Sequence, residues 1–342
     1  MMNSVTNRSL DRRQLLQGAT AAATAGSMGL GLTGAGAQTK LVLKASDVHP
    51  LGYPTVAAVE AMGKKLEAAT NGRVSITMFP SMQLGGEKEM IEQAQVGALQ
   101  IARVSVGAVG PVVDDVNVFN MPFVFRDGAH MEKVIDGEIG SELLAKITAN
   151  EKAGIVALCW MNAGTRNVYN SKKPIKALAD LKGLKIRMIG NPLFVDTMNA
   201  LGGNGIAMGF DQLYSAMQTG VVDGAENNLP TFIAQNHYLV AKHFSMTEHL
   251  IIPELLVFSK KTWDTLSAED KALVTKFSRE AQADQRKLWY EAEKVALEKM
   301  KAAGTEIVTG LDKKPFQDAV KPVWDKYGAK YAELVKRIEA VK

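Results

Sequence analysis

The stretch from Leu181 to Pro230 constrains the fold most, because strand and helix patterns alternate there between glycine and proline breaks. Residues 185–189 alternate polar and apolar side chains, which predicts a strand. Pro192 begins a helix that ends near three glycines. A second helix is predicted from Phe210 with Asp211 as its N-cap, and residues 221–228 are predicted as a polar turn. The stretch therefore belongs to a sheet covered by helices.

The same alternation runs along most of the chain and predicts an α/β fold. The predicted strands are residues 40–44, 73–79, 100–106, 155–160 and 250–259, and the predicted helices are residues 55–70, 88–96 and 130–147. Ser267 begins a further helical pattern without glycine or proline as far as Gly304. At 1.5 Å per residue this helix would be roughly 50 Å long, which exceeds the need of one small domain.

Composition and charge narrow the class of protein. A chain of 342 residues with 46% hydrophobic and 22% charged residues is typical of a globular protein with room for two domains. A net charge of +4 gives no case for binding nucleic acid. Cys159 is the only cysteine, which excludes a disulfide within the chain and a cysteine metal cluster.

The first 37 residues have the pattern of an export signal. Arg12 and Arg13 form a twin-arginine pair, an Ala/Gly/Leu run follows, and residues 35–37 fit a small-residue cleavage site. We therefore predict a signal peptide over residues 1–37 and export to the periplasm by the twin-arginine route. Residues 29–34 match a dinucleotide-binding glycine pattern, but no strand precedes them, so we reject that interpretation.

The motifs that identify common enzyme sites are missing from the sequence. None of the five histidines lies three or four residues from another, so no helical metal pair is present. The sequence also has no nucleophile elbow and no phosphate loop.

The residues that indicate a binding site are arginines. Arg187 ends a predicted strand, where a guanidinium can bind a carboxylate through two parallel hydrogen bonds, although a solvated strand-end charge is the alternative.

Several motifs, in order, resemble the solute receptors of tripartite ATP-independent periplasmic (TRAP) transporters, the DctP family. They extend from about Lys40 to about Leu288 and are FPSMQLGGEKEM (79–90), NVFNMPFVFR (117–126), GTRNVYNSKKPIK (164–176), LKGLKIR (181–187), MQTG (217–220) and VVDGAEN (221–227). The resemblance implies a two-lobe periplasmic binding protein fold, with a cleft between the lobes and a long helix spanning both. We expect lobe I to contain residues 38–163 and about 250–290, and lobe II residues 164–249 and about 291–342.

The resemblance also implies which residues bind ligand. Arg187 is expected to be the main carboxylate clamp, with assistance from Arg166, Asn227 and Phe210. From lobe I, the residues themselves suggest Arg103, because a charge inside an apolar strand needs a partner. His49 follows a strand end, Glu87 follows a glycine turn, and Trp160 is a candidate stacking wall; for each, a purely structural role is the alternative. Asp223 and Glu226 are interpreted as turn residues.

The expected function is a periplasmic receptor that captures a small organic acid, favouring a sugar acid such as a uronate or an aldonate. It would deliver the ligand to the small and large permease subunits in the membrane, as a monomer, with no cofactor or metal and no catalysis. A C4-dicarboxylate or a 2-oxo acid is the alternative ligand. A secreted sugar-acid lyase or hydrolase, and a sensor receptor for a membrane kinase, are the alternative functions.

Overall fold

The structure is a computed structural model that describes residues 40–342; the predicted signal peptide over residues 1–37 lies outside them. The strands are β1 (Leu41–Ser46), β2 (Val74–Phe79), β3 (Ile101–Ser105), β4 (Ile155–Met161), β5 (Thr165–Asn170), β6 (Lys185–Met188), β7 (Asn204–Ala207), β8 (Gly224–Asn227), β9 (His243–Ile251), β10 (Glu254–Ser259) and β11 (Glu306–Val308).

The helices lie between these strands and after them. They are α1 (Pro54–Ala69), α2 (Glu87–Val96), α3 (Val106–Val109), α4 (Gly128–Asp136), α5 (Glu138–Ala149), α6 (Pro192–Ala200), α7 (Leu213–Gln218), α8 (Leu229–Ala234), α9 (Lys260–Trp263), α10 (Ala268–Ala302), α11 (Lys314–Ala319), α12 (Lys321–Tyr327) and α13 (Ala332–Ala340). Short 3₁₀ helices cover Asp114–Asn120, Glu151–Ala153, Leu178–Leu181, His237–Leu239 and Gly328–Tyr331.

Two mixed sheets form the framework. The first sheet has the strand order β2-β1-β3-β10-β4, and the second has the order β11-β9-β5-β8-β6-β7. In the first sheet β1 is parallel to β2 and β3, whereas β10 is antiparallel to β3 and β4. In the second sheet β8 lies between β5, to which it is antiparallel, and β6, to which it is parallel. The predicted α/β class is therefore confirmed.

The chain passes between the sheets through two short connections, from β4 to β5 and from β9 to β10. Gly164 lies in the first connection with φ of 60°, which favours glycine, and a Cβ atom there would stand 2.5 Å from Glu293 Oε1. A third connection is α10, which contacts α1 beside the first sheet and α8 beside the second. Its 35 residues give a length of about 52 Å, as the sequence predicts.

Local signals explain where several elements begin. Ser267 caps α10, because its hydroxyl accepts a hydrogen bond from the Asp270 backbone nitrogen at 3.0 Å. Asn191 caps α6 in the same way, and Pro192 occupies the first turn of that helix. The C-terminal helices then contact helices beside both sheets: α12 packs on α6, and α13 packs on α5. The lobe boundaries that we drew from the sequence stay a prediction.

Four local predictions need correction. The helix expected over residues 130–147 is divided into α4 and α5 at Gly137. The helix expected from Phe210 begins at Leu213, so Asp211 is not its N-cap. The turn expected over residues 221–228 contains β8, because its residues pair with strands on both sides. The strand expected over residues 250–259 is broken before Glu254, and its two parts belong to different sheets.

Candidate ligand-binding cleft

A polar cleft of about 330 Å³ lies between the two sheets. It is lined by Val48, His49, Glu87, Arg103, Ser105, Arg166, Arg187, Ile189, Phe210, Asn227 and Glu254. Seven of the eight residues that we predicted to bind ligand are in this list, and Trp160 is the exception.

Arg187 stands at the end of β6 with 4% of its surface exposed. Its Nε donates a hydrogen bond to the Met208 carbonyl at 2.8 Å, and its Cζ lies 5.5 Å from the centre of the Phe210 ring. Neither Nη1 nor Nη2 has a hydrogen-bond or carboxylate partner within residues 40–342. Burial lowers the pKa of Arg187, an effect that Glu226 opposes and Arg166 reinforces. A buried cation with two unoccupied amino groups is suited to binding an anion.

Arg166 lines the same cleft but already has a counter-ion. Its guanidinium forms a two-pronged ion pair with the carboxylate of Glu226, and Nη2 is 2.7 Å from Oε1. Nη1 donates to Asn227 Oδ1 at 3.1 Å. Burial opposes the charge of Arg166, but Glu226 raises its pKa above the ordinary value. The interpretation of Glu226 as a turn residue was wrong, since it is a buried β8 residue that balances this arginine.

Arg103 is enclosed by carboxylates on the other side of the cleft. Its Nη1 donates to Glu87 Oε1 at 2.8 Å, and its Nη2 donates to Asp47 Oδ1. Burial opposes ionisation of Asp47, but Arg103 holds the pKa of that carboxyl well below its usual range. The partner that a charge inside an apolar strand needs is therefore provided by protein carboxylates. Glu87 also accepts hydrogen bonds from the backbone and the hydroxyl of Ser105.

His49 connects the two sides of the cleft. Its Nε2 lies 3.2 Å from Thr231 Oγ1 on α8, and its ring stacks on Tyr53 with 3.7 Å between ring centres. The Tyr53 hydroxyl meets the same Thr231 oxygen at 2.8 Å. Burial and Arg103 both lower the pKa of His49, and the hydrogen bond to Asp47 opposes them. These contacts join the loop after β1 in the first sheet to the helix after β8 in the second sheet.

Glu254 is a cleft residue that the sequence reasoning missed. It begins β10 opposite Ser105 of β3, and 5% of its surface is exposed. Its Oε2 lies 3.0 Å from Arg103 Nη1 but has no hydrogen-bond partner among the described residues. Burial raises the pKa of Glu254 to about 7, with Arg103 opposing the shift and Glu87 adding to it. A lone carboxylate in an apolar strand, the feature that singled out Arg103, could have revealed it.

Trp160 lies in the core and not in the cleft. Its indole nitrogen donates to the Gly140 carbonyl at 3.1 Å, and its ring centre is 5.4 Å from that of Phe119. The prediction of a stacking wall was wrong because successive side chains of β4 point to opposite faces of the sheet. The thiol of Cys159, on the same strand, is also buried, and burial raises its pKa to about 12.

Two further properties of residues 40–342 bear on function. In this range no cluster of three or more histidine, cysteine or acidic side chains has the arrangement of a metal site. Within the same range, no helix has both the length and the apolar character that crossing a bilayer requires.

Comparison with known proteins identifies the family. The model of the bacterial extracellular solute-binding protein family 7, DctP, matches residues 45–330. The chain belongs to this family. The DctP receptors of known structure include a TRAP periplasmic solute-binding protein from Pseudomonas putida F1 with bound D-glucuronate. It is 57% identical, with a TM-score of 0.86, and the match covers 88% of this chain and 98% of that one. The predicted relationship to TRAP receptors and the predicted two-lobe fold are thus confirmed.

Two other relatives are informative about conformation and ligand. A TRAP solute-binding protein from Citrobacter koseri with bound D-glucuronate is 47% identical, with a TM-score of 0.86 over 88% of this chain and 99% of that one. Its open form without ligand gives a TM-score of 0.77 at 45% identity over 87% and 98%. This DctP receptor is therefore more similar to the ligand-bound form. The C4-dicarboxylate-binding DctP protein of Rhodobacter capsulatus is 31% identical over 97% of this chain and 98% of its own length.

Proposed function

We propose that this TRAP receptor binds a hexuronate or a closely related sugar acid, with the ligand carboxylate on Arg187. One observation carries the proposal: Arg187 is a buried cation whose Nη1 and Nη2 have no protein partner in the described range. Two charge-assisted hydrogen bonds of about 1.5–3 kcal/mol each would supply much of the roughly 8 kcal/mol that micromolar binding requires. Asn227 and the Phe210 ring border the same position.

The opposite side of the cleft favours hydroxyl groups over a second carboxylate. Asp47, Glu87 and Glu254 surround the single charge of Arg103, so acceptors outnumber cations there. Carboxylates accept hydrogen bonds from hydroxyls and repel other anions. A ligand with one carboxylate and several hydroxyls fits this division of charge. A C4-dicarboxylate would bring a second carboxylate to the acidic side, and a simple 2-oxo acid would bring few hydroxyls to it. The glucuronate bound to the Pseudomonas putida and Citrobacter koseri relatives agrees with this choice.

Transport follows from a change between open and closed forms. Ligand enters the open form, and the lobes then close through the contacts of His49 and Tyr53 with Thr231. In this proposal the closed receptor docks on the small and large permease subunits and releases the sugar acid for uptake. The receptor is a monomer of the periplasm, is exported by the twin-arginine route and does not transform its ligand.

A thermal-shift screen followed by calorimetry tests the proposal. D-glucuronate and D-galacturonate should raise the melting temperature, because a ligand that binds only the folded state stabilises it. D-glucose is the matched control, since it keeps the ring and lacks the carboxylate. Stabilisation by glucose alone, or by succinate in preference to both uronates, would contradict the proposal. Proton NMR of glucuronate incubated with the receptor should show no product; appearance of a product would support the lyase or hydrolase instead.

The export route needs its own experiment. Replacing Arg12 and Arg13 together by lysine should leave the protein in the cytoplasmic fraction of the producing cell, since the twin-arginine route reads that pair. A variant that still reaches the periplasm would indicate the general secretory route.

A further inference from the structure

Glu254 has a buried carboxyl group that forms an ion pair with Arg103 but lacks a hydrogen-bond donor within residues 40–342. Its side chain lines the cleft and is 7% exposed. Within residues 40–342 neither of its carboxyl oxygens forms a hydrogen bond, and Oε2 is fully enclosed. Leaving a buried acceptor without a partner costs about 1–3 kcal/mol. A carboxyl group in this position therefore calls for a partner that the protein itself does not provide.

Arg103 gives Glu254 an ion pair but no hydrogen bond. The guanidinium already donates from Nη1 to Glu87 and from Nη2 to Asp47. Glu254 Oε2 approaches Nη1 to 3.0 Å without the geometry of a hydrogen bond. Asp47, Glu87 and Glu254 therefore share one cation, so the group has an excess of negative charge when all three are ionised.

Other donors near Glu254 are occupied, whereas the buried Nε of Arg103 has no hydrogen-bond partner within residues 40–342. The Ser105 hydroxyl on β3 donates to Glu87 Oε2 at 2.7 Å. The Tyr53 hydroxyl, which lies near Glu254, forms a hydrogen bond with Thr231 Oγ1 at 2.8 Å. From the second sheet, Arg166 is committed to Glu226 and Asn227. None of these groups donates a hydrogen bond to Glu254, and its side chain lines the cleft, so a ligand hydroxyl can supply a donor to Oε1.

We propose that Glu254 determines ligand specificity, by accepting a hydrogen bond from a ligand hydroxyl and rejecting a ligand with a carboxylate at that end. This inference rests on the proposed function, in which Arg187 holds the other end of the sugar acid. An ionised carboxylate forms short, strong hydrogen bonds with hydroxyl groups. It repels a second carboxylate in a buried site, so one residue both favours the sugar acid and excludes the diacid.

The test compares D-glucuronate with D-glucarate, a six-carbon acid that has a carboxylate at both ends. Calorimetry at pH 8 on the whole receptor should show that Glu254→Gln weakens glucuronate binding by about tenfold, because a charged acceptor is replaced by a neutral amide. Glucarate binding should tighten by about tenfold, because the repulsion is removed and the amide can donate to a carboxylate. Glu92→Gln is the matched control, since it removes one exposed acidic charge from α2 outside the cleft.

Affinity should also respond to pH in a way that a merely structural residue would not produce. The charged and titratable groups near Glu254 are Arg103, Glu87, Asp47, Arg166 and Tyr53, and burial lowers the pKa of the nearby His49. Glucuronate should bind about threefold or more tightly at pH 8 than at pH 6 in the unmodified receptor, because the carboxyl is ionised at pH 8. In Glu254→Gln this difference should disappear, whereas Glu92→Gln should keep it.

The outcomes separate this inference from the proposed function. If the unmodified receptor binds glucuronate but Glu254→Gln keeps both affinities within twofold, the specificity role is wrong and the proposed function stands. If the unmodified receptor binds no sugar acid, the proposed function is wrong, and the specificity role of Glu254 is wrong as well. A melting temperature for each variant shows that the compared proteins are folded.

Discussion

Arg166 and Arg187 line one cleft, yet only Arg166 is paired with a carboxylate. The sheet order explains the difference, because β8 lies between the strands of the two arginines and Glu226 of β8 turns toward Arg166. Arg187 is left with a backbone carbonyl and the face of Phe210. The same side-chain chemistry therefore has two roles: one guanidinium stabilises the second sheet, and the other is available to a ligand.

Replacing Arg187 should separate binding from stability. We expect Arg187→Gln to weaken glucuronate binding on the order of 100-fold, or about 3 kcal/mol, because two charge-assisted hydrogen bonds are lost. The free energy of unfolding without ligand should rise by about 1 kcal/mol, because a buried charge without a counter-ion is removed. Calorimetry and urea denaturation measure the two effects. The exposed Arg279→Gln is the control, and equal glucuronate affinity in both variants would refute the clamp.

Breaking the ion pair of Arg166 should have the opposite effect on stability. Glu226→Gln leaves the buried Arg166 without its counter-ion, which should lower the free energy of unfolding by about 3–5 kcal/mol. Urea denaturation without ligand gives this value. Glu298→Gln is the matched control, since its pair with Lys301 is exposed and should contribute less than about 1 kcal/mol. A loss below about 1 kcal/mol in Glu226→Gln would show that the pair is not a structural element.

The pKa of Glu254 predicts how stability depends on pH. This carboxyl titrates at about 7 in the folded receptor and near 4.5 in the unfolded chain. Between these values the folded state binds more protons, so its stability falls as pH rises from about 4.5 to about 7. The loss is at most on the order of 3 kcal/mol. In Glu254→Gln that loss should be absent, and the difference between the two denaturation series measures it; parallel series would contradict the prediction.

Thr231 should control closure of the cleft. Thr231→Val keeps the shape of the side chain but removes the oxygen that meets His49 and Tyr53. The closed form should become less favourable, and glucuronate affinity should fall about tenfold. Small-angle scattering without ligand should show a larger radius of gyration for Thr231→Val than for the unmodified receptor. Thr197→Val is the control, because that buried hydroxyl bonds only within its own helix. If Thr231→Val changes neither the affinity nor the radius of gyration, these hydrogen bonds do not hold the cleft closed.

Much of the fold could be predicted from the sequence because its signals are local. The Ser267 cap and the uninterrupted helical pattern predicted α10, and the alternation over residues 185–189 predicted β6. Such patterns depend on neighbours within a few positions along the chain. They also placed Arg187 at a strand end, where it now borders the cleft. The sequence by itself therefore determined many of the elements, the family resemblance and most of the residues that line the site.

Only the tertiary structure decided which charged groups are free. Arg166 and Glu226 are 60 positions apart, and Arg103 and Asp47 are 56 apart, so no spacing rule could have matched them. The pairings follow from the order of strands in each sheet, which long-range packing sets. The carboxyl of Glu254, which has an ion pair but no hydrogen bond within residues 40–342, has the same origin. Ion pairing depends on distance in space, whereas periodicity reports distance along the chain, and this is why the cleft's charge balance appeared only in the folded protein.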